Sequence, residues 1–207
     1  MKLLLSPCAI GLAALTLLFL GKPAHAIKFS AVGGGNYSST ETAPTYNYSA
    51  KAAVGGGALM EIRLLPSVGL EIGALYLPRK YEISNNGYDY TTTQNQIQIP
   101  IVLRANLLNI FSLGVGGYVS KYTGKIDTQV TRTGTGPSPI NASYGPAQLS
   151  TTDYGVVTSI AFYSSVSPLA RFVLDARYVI GSKDNDLSFQ DKKFRDFQLL
   201  AGLQVGL

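Results

Sequence analysis

The sequence predicts an all-β fold, an eight-stranded antiparallel up-and-down transmembrane β-barrel. Three observations predict it. Apolar residues recur at every second position through most of the chain after residue 26. The connections between these runs alternate between tight and long. After residue 26 no apolar stretch is long enough to be a membrane-spanning helix.

The first element is the exception that explains itself. Lys2 precedes an apolar run from Ile10 to Leu20, followed by Gly21-Lys22-Pro23-Ala24-His25-Ala26, a helix-breaking stretch with an Ala-x-Ala ending. This reads as a signal peptide over 1–26, cleaved after Ala26, with the barrel domain over 27–207. The run is shorter than the roughly 20 residues a spanning helix needs. Cys8 lies before the apolar core and follows Pro7, the wrong place and neighbour for a lipid anchor.

Cleavage has a chemical consequence. Cys8 and His25 are the only cysteine and histidine, and both leave with the signal. The mature chain then has no disulfide, no thiolate zinc site and no histidine general base, so neither a cofactor nor an enzymatic activity is expected. The 17 Lys and Arg less Lys2 and Lys22, set against 12 Asp and Glu, leave a net charge of +3. That is too mild a balance to predict a nucleic-acid partner.

Eight runs of period two follow, at roughly 27–37, 50–64, 69–81, 95–107, 111–123, 152–166, 170–182 and 195–207. Each is long enough to cross a bilayer as a tilted strand of about 9 to 11 residues. The fourth is the plainest: Ile97, Ile99, Ile101, Leu103, Ala105 and Leu107 share one face, and Gln96, Gln98, Pro100, Val102, Arg104 and Asn106 the other. The last two repeat it, with Leu174, Tyr178, Leu199 and Leu203 opposite Asp175, Arg177, Gln198 and Gln204. Lipid should cover the apolar face.

The connections after strands two, four and six are short: Leu65-Pro66-Ser67-Val68, Leu108-Asn109-Ile110 and Ser167-Pro168-Leu169. Those after strands one, three, five and seven, at 38–49, 82–94, 124–151 and 183–194, are long and polar and are expected as loops. The 124–151 segment, rich in Thr, Gly, Ser and Pro, is expected to be mobile. Short periplasmic turns and long extracellular loops are the asymmetry such barrels show.

Aromatic residues on the outward parity are expected to form two girdles: Tyr37, Tyr76, Tyr154, Tyr178 and Phe197 toward the long-loop end, and Phe29, Phe111, Phe162 and Phe172 toward the short-turn end. The inward parity carries Lys28, Lys51, Glu61, Arg63, Glu71, Arg104, Arg171, Asp175 and Arg177. A narrow interior penalises an unpaired ion, so these predict a salt-bridged plug, with Glu71 opposite Arg63 and Arg104 at a similar depth. The triplets Gly33-Gly34-Gly35 and Gly55-Gly56-Gly57, with Gly114, Gly116 and Gly117, open no helix. They read as sites of bending or of room for large inward side chains, not as a phosphate-binding loop. Asn36, Asn47 and Asn141 open Asn-x-Ser triplets, which in a bacterial envelope protein are chance matches. Near the outer rim, Arg79, Lys80, Lys183, Lys192 and Lys193 could contact lipopolysaccharide phosphates or form an ordinary solvated rim.

The stretches Ile97-Gln98-Ile99-Pro100-Ile101-Val102-Leu103-Arg104, Leu113-Gly114-Val115-Gly116-Gly117-Tyr118-Val119-Ser120 and Leu174-Asp175-Ala176-Arg177-Tyr178 resemble the PorT-like outer-membrane β-barrel family. The resemblance covers the whole mature chain and implies a short eight-stranded barrel. One branch of that family is tied to protein secretion and gliding, a role these motifs do not carry over. The barrel-assembly machinery is the implied partner during insertion. Such barrels usually end in an aromatic residue, whereas this chain ends in Leu207. Gly202, Val205 and Leu207 keep the expected spacing, and Leu200 replaces the usual leading polar residue.

The function these observations favour is a non-enzymatic structural or interaction role in the outer membrane of a Gram-negative bacterium. The long loops would serve adhesion, surface shielding or docking of an extracellular or envelope protein partner. A narrow pore or secretion-associated barrel is the alternative, as is a soluble lipocalin-like ligand-binding barrel, which would place its apolar residues inside. N-terminal sequencing of the protein extracted from outer membranes is expected to begin at Ile27; a chain still starting at Met1 or Lys2 would overturn the signal-peptide reading.

Overall fold

The alternation dictates which way each side chain turns. From Gln96 to Leu107 every odd residue is exposed, and every even residue through Arg104 is buried. The computed structural model describes residues 27–40, 47–85, 88–107, 110–123, 126–132, 140–144, 152–182 and 193–206, so the expected signal peptide lies outside the described residues. Its strands are β1 Ile27–Thr40, β2 Asn47–Leu65, β3 Val68–Tyr76, β4 Arg79–Asn85, β5 Tyr88–Gln94 and β6 Gln96–Leu107. They continue with β7 Phe111–Tyr122, β8 Ile126–Arg132, β9 Ile140–Tyr144, β10 Thr152–Ser165, β11 Ala170–Gly181 and β12 Phe194–Gly206.

Eight of them close on themselves in the order β1-β12-β11-β10-β7-β6-β3-β2, because β1 pairs antiparallel with both β12 and β2. The ladder runs from Ile97 through Tyr76, Gly56, Gly33, Ala201, Leu174, Phe162 and Phe111 back to Leu107 of the starting strand, a stagger of ten residues from 97 to 107. Ten residues at about 3.3 Å against eight strands about 4.8 Å apart tilt the strands about 40° from the axis.

So narrow a cylinder forces sharp coiling, and glycine permits it. A Cβ on Gly34 would stand 1.9 Å from the Leu199 carbonyl oxygen, and one on Gly116 2.0 Å from that of Ile101. Pro100 lies mid-strand in β6 without an N–H to donate. The β3–β6 ladder has a gap there, resuming at Ile72↔Ile101 on one side and Leu75↔Gln98 on the other.

The outer wall is apolar. Ile99 is 44%, Leu174 38% and Leu203 54% exposed, while Arg104 and Arg177 are each 1% exposed. This polarity excludes the soluble lipocalin-like alternative. Inside, Val32, Leu59, Leu75, Leu77, Ala161, Tyr163, Val173 and Leu200 form one apolar cluster, and Val102, Tyr118, Val157 and Val179 another.

The long connections differ most from expectation. Ser38–Thr40 and Asn47–Ser49 belong to β1 and β2, and most of 82–94 is strand. Much of 124–151, expected as a mobile loop, is strand as well: Ile126–Arg132 and Ile140–Tyr144. The upper part of β2 pairs with β4, β4 with β5, β5 with β8 and β8 with β9, making a sheet that continues beyond the barrel. Tyr88-Asp89-Tyr90-Thr91-Thr92-Thr93 shows why: Thr and Tyr favour a pleated surface, so a polar composition did not mean a loop. The expected third strand is interrupted at Leu77-Pro78, where β3 ends and β4 leaves the barrel.

If lipid covers this wall, Ile101→Arg should destabilise the barrel by about 2–4 kcal/mol and Leu107→Arg, beside the short turn, by about 0–1 kcal/mol. Reversible denaturant unfolding in lipid vesicles measures both.

Candidate functional site

The inward face gathers its charges at three levels. In the middle, β6 supplies Arg104, β3 Glu71, and β11 both Asp175 and Arg177, two residues apart and so on the same face. Arg104 donates from Nε to Glu71 Oε2 at 2.7 Å and from Nη2 to Asp175 Oδ2 at 2.5 Å. Arg177 donates from Nη2 to Glu71 Oε1 at 2.8 Å and to Asp175 Oδ2 at 2.6 Å. Each guanidinium therefore touches both carboxylates, and the four form a neutral ring across the barrel. Arg104 also donates to Ser112 Oγ at 3.2 Å.

Toward the short-turn end, Lys28 pairs with Glu61 at 3.2 Å, and Asn106 donates to Glu61 at 3.0 Å. Arg171 donates to Gln204 Oε1 at 2.6 Å and lies 4.7 Å over the Tyr163 ring. Arg63 is not opposite Glu71. The turn at Pro66-Ser67 is tight and a bulge lies between Arg63 and Leu65, so the ladder places Glu61 opposite Glu71 and Arg63 opposite Gly69. Two carboxylates thus face each other across β2 and β3, and cations from other strands separate them: Lys28 on Glu61, Arg104 and Arg177 on Glu71.

At the open end stands a cluster not expected from the sequence. Arg79, expected at the outer rim as a possible lipopolysaccharide contact or a solvated cation, is fully buried in the interior, out of reach of any lipid phosphate. It donates from Nε to Asp196 Oδ2 and from Nη1 to Asp153 Oδ2, both at 2.8 Å, and to the Tyr122 hydroxyl at 2.8 Å. Tyr118 donates to Asp153 at 2.9 Å, and Phe194 lies 4.4 Å from the Arg79 guanidinium. Parity held the missing signal. Tyr76, Tyr154 and Phe197 face outward, and Arg79, Asp153 and Asp196 each lie an odd number of residues from them. Lys51, expected inside, instead pairs with Glu82 at 3.2 Å in the sheet beyond the barrel. Of the remaining rim cations, Lys80 is half-buried and Lys193 exposed, while Lys183 and Lys192 lie outside the described residues.

The expected girdle residues stand on the outer wall. Tyr37, Phe197 and Tyr178 are successive ladder partners on β1, β12 and β11, so their rings form a row. Tyr76 and Tyr154 are exposed at the same end of their strands. At the opposite end Phe29, Phe162 and Phe172 are exposed, and Phe111, half-buried, packs on Phe162 with ring centroids 5.3 Å apart.

A family model described as an outer membrane protein β-barrel domain matches residues 21–187. No curated protein matches the chain significantly in sequence. Among solved structures, the outer membrane protein OprG of Pseudomonas aeruginosa superimposes with a TM-score of 0.54 at 11% identity, over 88% of this chain and 96% of that one. Ail, the attachment invasion locus protein of Yersinia pestis, in complex with the heparin analogue sucrose octasulfate, gives 0.48 at 12% identity over 86% and 98%. Neisserial surface protein A gives 0.44 at 13% identity over 86% and 96%. At these identities the likeness to OprG concerns the fold.

Removing one member of the central ring leaves an uncompensated buried charge, so Arg104→Met alone should cost about 3–5 kcal/mol of unfolding free energy. The double variant Arg104→Met, Glu71→Met keeps Arg177 paired with Asp175 and should recover most of that loss. Denaturant titration of both proteins in vesicles checks this, and a double variant as unstable as the single one would show that the four charges do not act as one neutral unit.

Proposed function

Because this chain belongs to the outer membrane protein β-barrel family, and is thus an integral barrel of the Gram-negative outer membrane, we propose that it is a non-enzymatic surface protein. Its work is adhesion or partner docking by the sheet that rises from the open end. The observation that carries this reading is the continuation of β2 into β4, β5, β8 and β9 beyond the closed barrel. A strand that only had to cross the membrane would need about 9 to 11 residues, whereas β2 has 19. Its extra length serves a platform and not the crossing. That platform carries Tyr88, Tyr90 and the threonines of β5, adaptable polar and aromatic groups of the kind that build recognition surfaces.

The same reading includes four further points. The signal peptide is removed after Ala26, and the PorT-like resemblance marks the branch of the family. The tyrosine and phenylalanine rows anchor the barrel in the two headgroup layers, and Lys80, Lys183, Lys192 and Lys193 meet lipopolysaccharide. The interior is closed to solutes, supported by the ion-pair ring and the apolar clusters that fill it.

Cells expressing the protein should adhere to surfaces or to one another more than cells with an empty vector. Replacing residues 80–93 by a two-residue turn should abolish the difference while the barrel still folds and reaches the outer membrane. Equal adhesion by the shortened variant would refute the platform as the active part, and ion-conducting steps in a planar bilayer would refute the closed interior.

A further inference from the structure

Arg79, Asp153 and Asp196 are buried together at the open end of the interior, one guanidinium against two carboxylates, which leaves a net charge of −1. Among the described residues the other cations that face the interior do not correct it: Arg63 and Arg171 stand toward the short turns. Arg104 and Arg177 are committed to Glu71 and Asp175 in a ring that is already neutral, and Lys28 is held by Glu61 toward the short turns. Lys51 is held by Glu82 beyond the barrel. A buried, uncompensated charge is strongly disfavoured, so something of opposite sign belongs beside these carboxylates.

A second observation, independent of the charge count, concerns the neutral groups around them. Asp153 Oδ1 and Asp196 Oδ1 meet no hydrogen-bond donor within the described protein, and neither do Ser120 Oγ, Gln94 Oε1, Gln96 Oε1 and Asn36 Oδ1. All four neutral side chains are at most 2% exposed. They share one level. Ser120 is the ladder partner of Asp153 and Gln94 that of Arg79. The Gln96 carbonyl accepts from the N–H of Leu77, two residues before Arg79. Asn36 donates to Ser38, the ladder partner of Asp196. Apart from the Gln96 amide nitrogen, the unpartnered buried atoms at this level are oxygens. Buried acceptors in excess of donors, the donors being the Gln96 amide and the Ser120 hydroxyl, around one surplus negative charge describe a positive guest.

We propose that the open end of the barrel interior binds a monovalent alkali-metal cation, held between the free carboxylate oxygens of Asp153 and Asp196 and completed by the oxygens of Ser120 and Gln96. An all-oxygen donor set is hard and disfavours soft transition metals. A single surplus negative charge matches one positive charge, whereas a divalent ion would leave the site cationic and calcium sites usually gather more carboxylates. The site is enclosed: Phe194 lies over Arg79, with Tyr81 6.1 Å from it, and the Gln198–Gln98 hydrogen bond of 2.9 Å spans the interior. Water could satisfy the oxygens but not the charge. This site is independent of the surface role proposed above, and its test does not touch the sheet beyond the barrel.

The test measures the unfolding temperature of the full folded barrel in zwitterionic detergent, at fixed pH and equal ionic strength, in potassium, sodium or tetramethylammonium chloride. Stabilisation by several degrees, saturating with potassium or sodium and missing in tetramethylammonium, is expected. Asp196→Asn makes the cluster neutral and should abolish the response. Identical unfolding temperatures in the three salts would overturn the proposal. So would a midpoint that ignores the salt and climbs as pH falls, since a proton would then supply the missing charge. If the variant fails to fold, thallium(I) magnetic resonance on the unmodified protein decides: a bound signal displaced by potassium supports the site, and its absence overturns it.

Discussion

In hydrocarbon no water is available to a backbone N–H or C=O, so a strand can cross a membrane only when both of its edges are paired. For this chain that condition is met by β1, which pairs along most of its length with β12 on one side and β2 on the other. Everything else in the barrel follows from that closure. Eight strands with a stagger of ten residues leave a narrow interior, and the sharp coiling places inward backbone so close to its neighbour that Gly34 and Gly116 have no room for a Cβ. Pro100 is tolerated because the defect is local: the β3–β6 ladder skips it and resumes on either side.

Closure also divides the side chains into two solvents. Outward residues meet lipid and are apolar; inward residues meet one another. An interior of this width cannot hydrate each charge separately, so the polar groups must satisfy themselves across the lumen. The central ring does so with four side chains from three strands, each guanidinium bridging both carboxylates. Buried ion pairs of this kind are weak evidence for net stability, since desolvation offsets much of the attraction. Their value here lies in specificity. Glu71 and Glu61 face each other on adjacent strands, and only a register that brings Arg104 and Arg177 to one and Lys28 to the other keeps them apart.

The two ends of the cylinder are built for different purposes. At one, Pro66-Ser67 and the turns after β6 and β10 return the chain within a few residues. At the other, β2 runs on and recruits β4, β5, β8 and β9 into a sheet that needs no lipid. Arg79 sits at the junction, immediately after the Leu77-Pro78 break, and its bonds to Asp153 and Asp196 tie the start of β4 to the opposite wall of the barrel. The same three residues join the root of the platform to the interior.

The sequence by itself determined the side of the wall on which most residues of the barrel strands stand; Lys51 departs to the sheet beyond the barrel, and Arg79 from the expected rim to the interior. A strand has a period of two whatever its partner, so Ile99, Leu174 and Leu203 could be placed outside and Arg104 and Arg177 inside from local alternation alone. The same rule held the direction of Arg79, Asp153 and Asp196, although their grouping could not be read from it. Partners were decided only by the tertiary structure. Which residues meet across two strands depends on the turn and on bulges, and the turn at Pro66-Ser67 together with the bulge at Leu64 moved Glu71 from Arg63 to Glu61. Which residues meet across the lumen depends on the whole stagger, a sum over eight registers that no single segment encodes. The sheet beyond the barrel was hidden for a related reason: its Thr- and Tyr-rich strands acquire their hydrogen bonds from segments up to tens of residues away, and a polar strand looks like a loop until its neighbour is known.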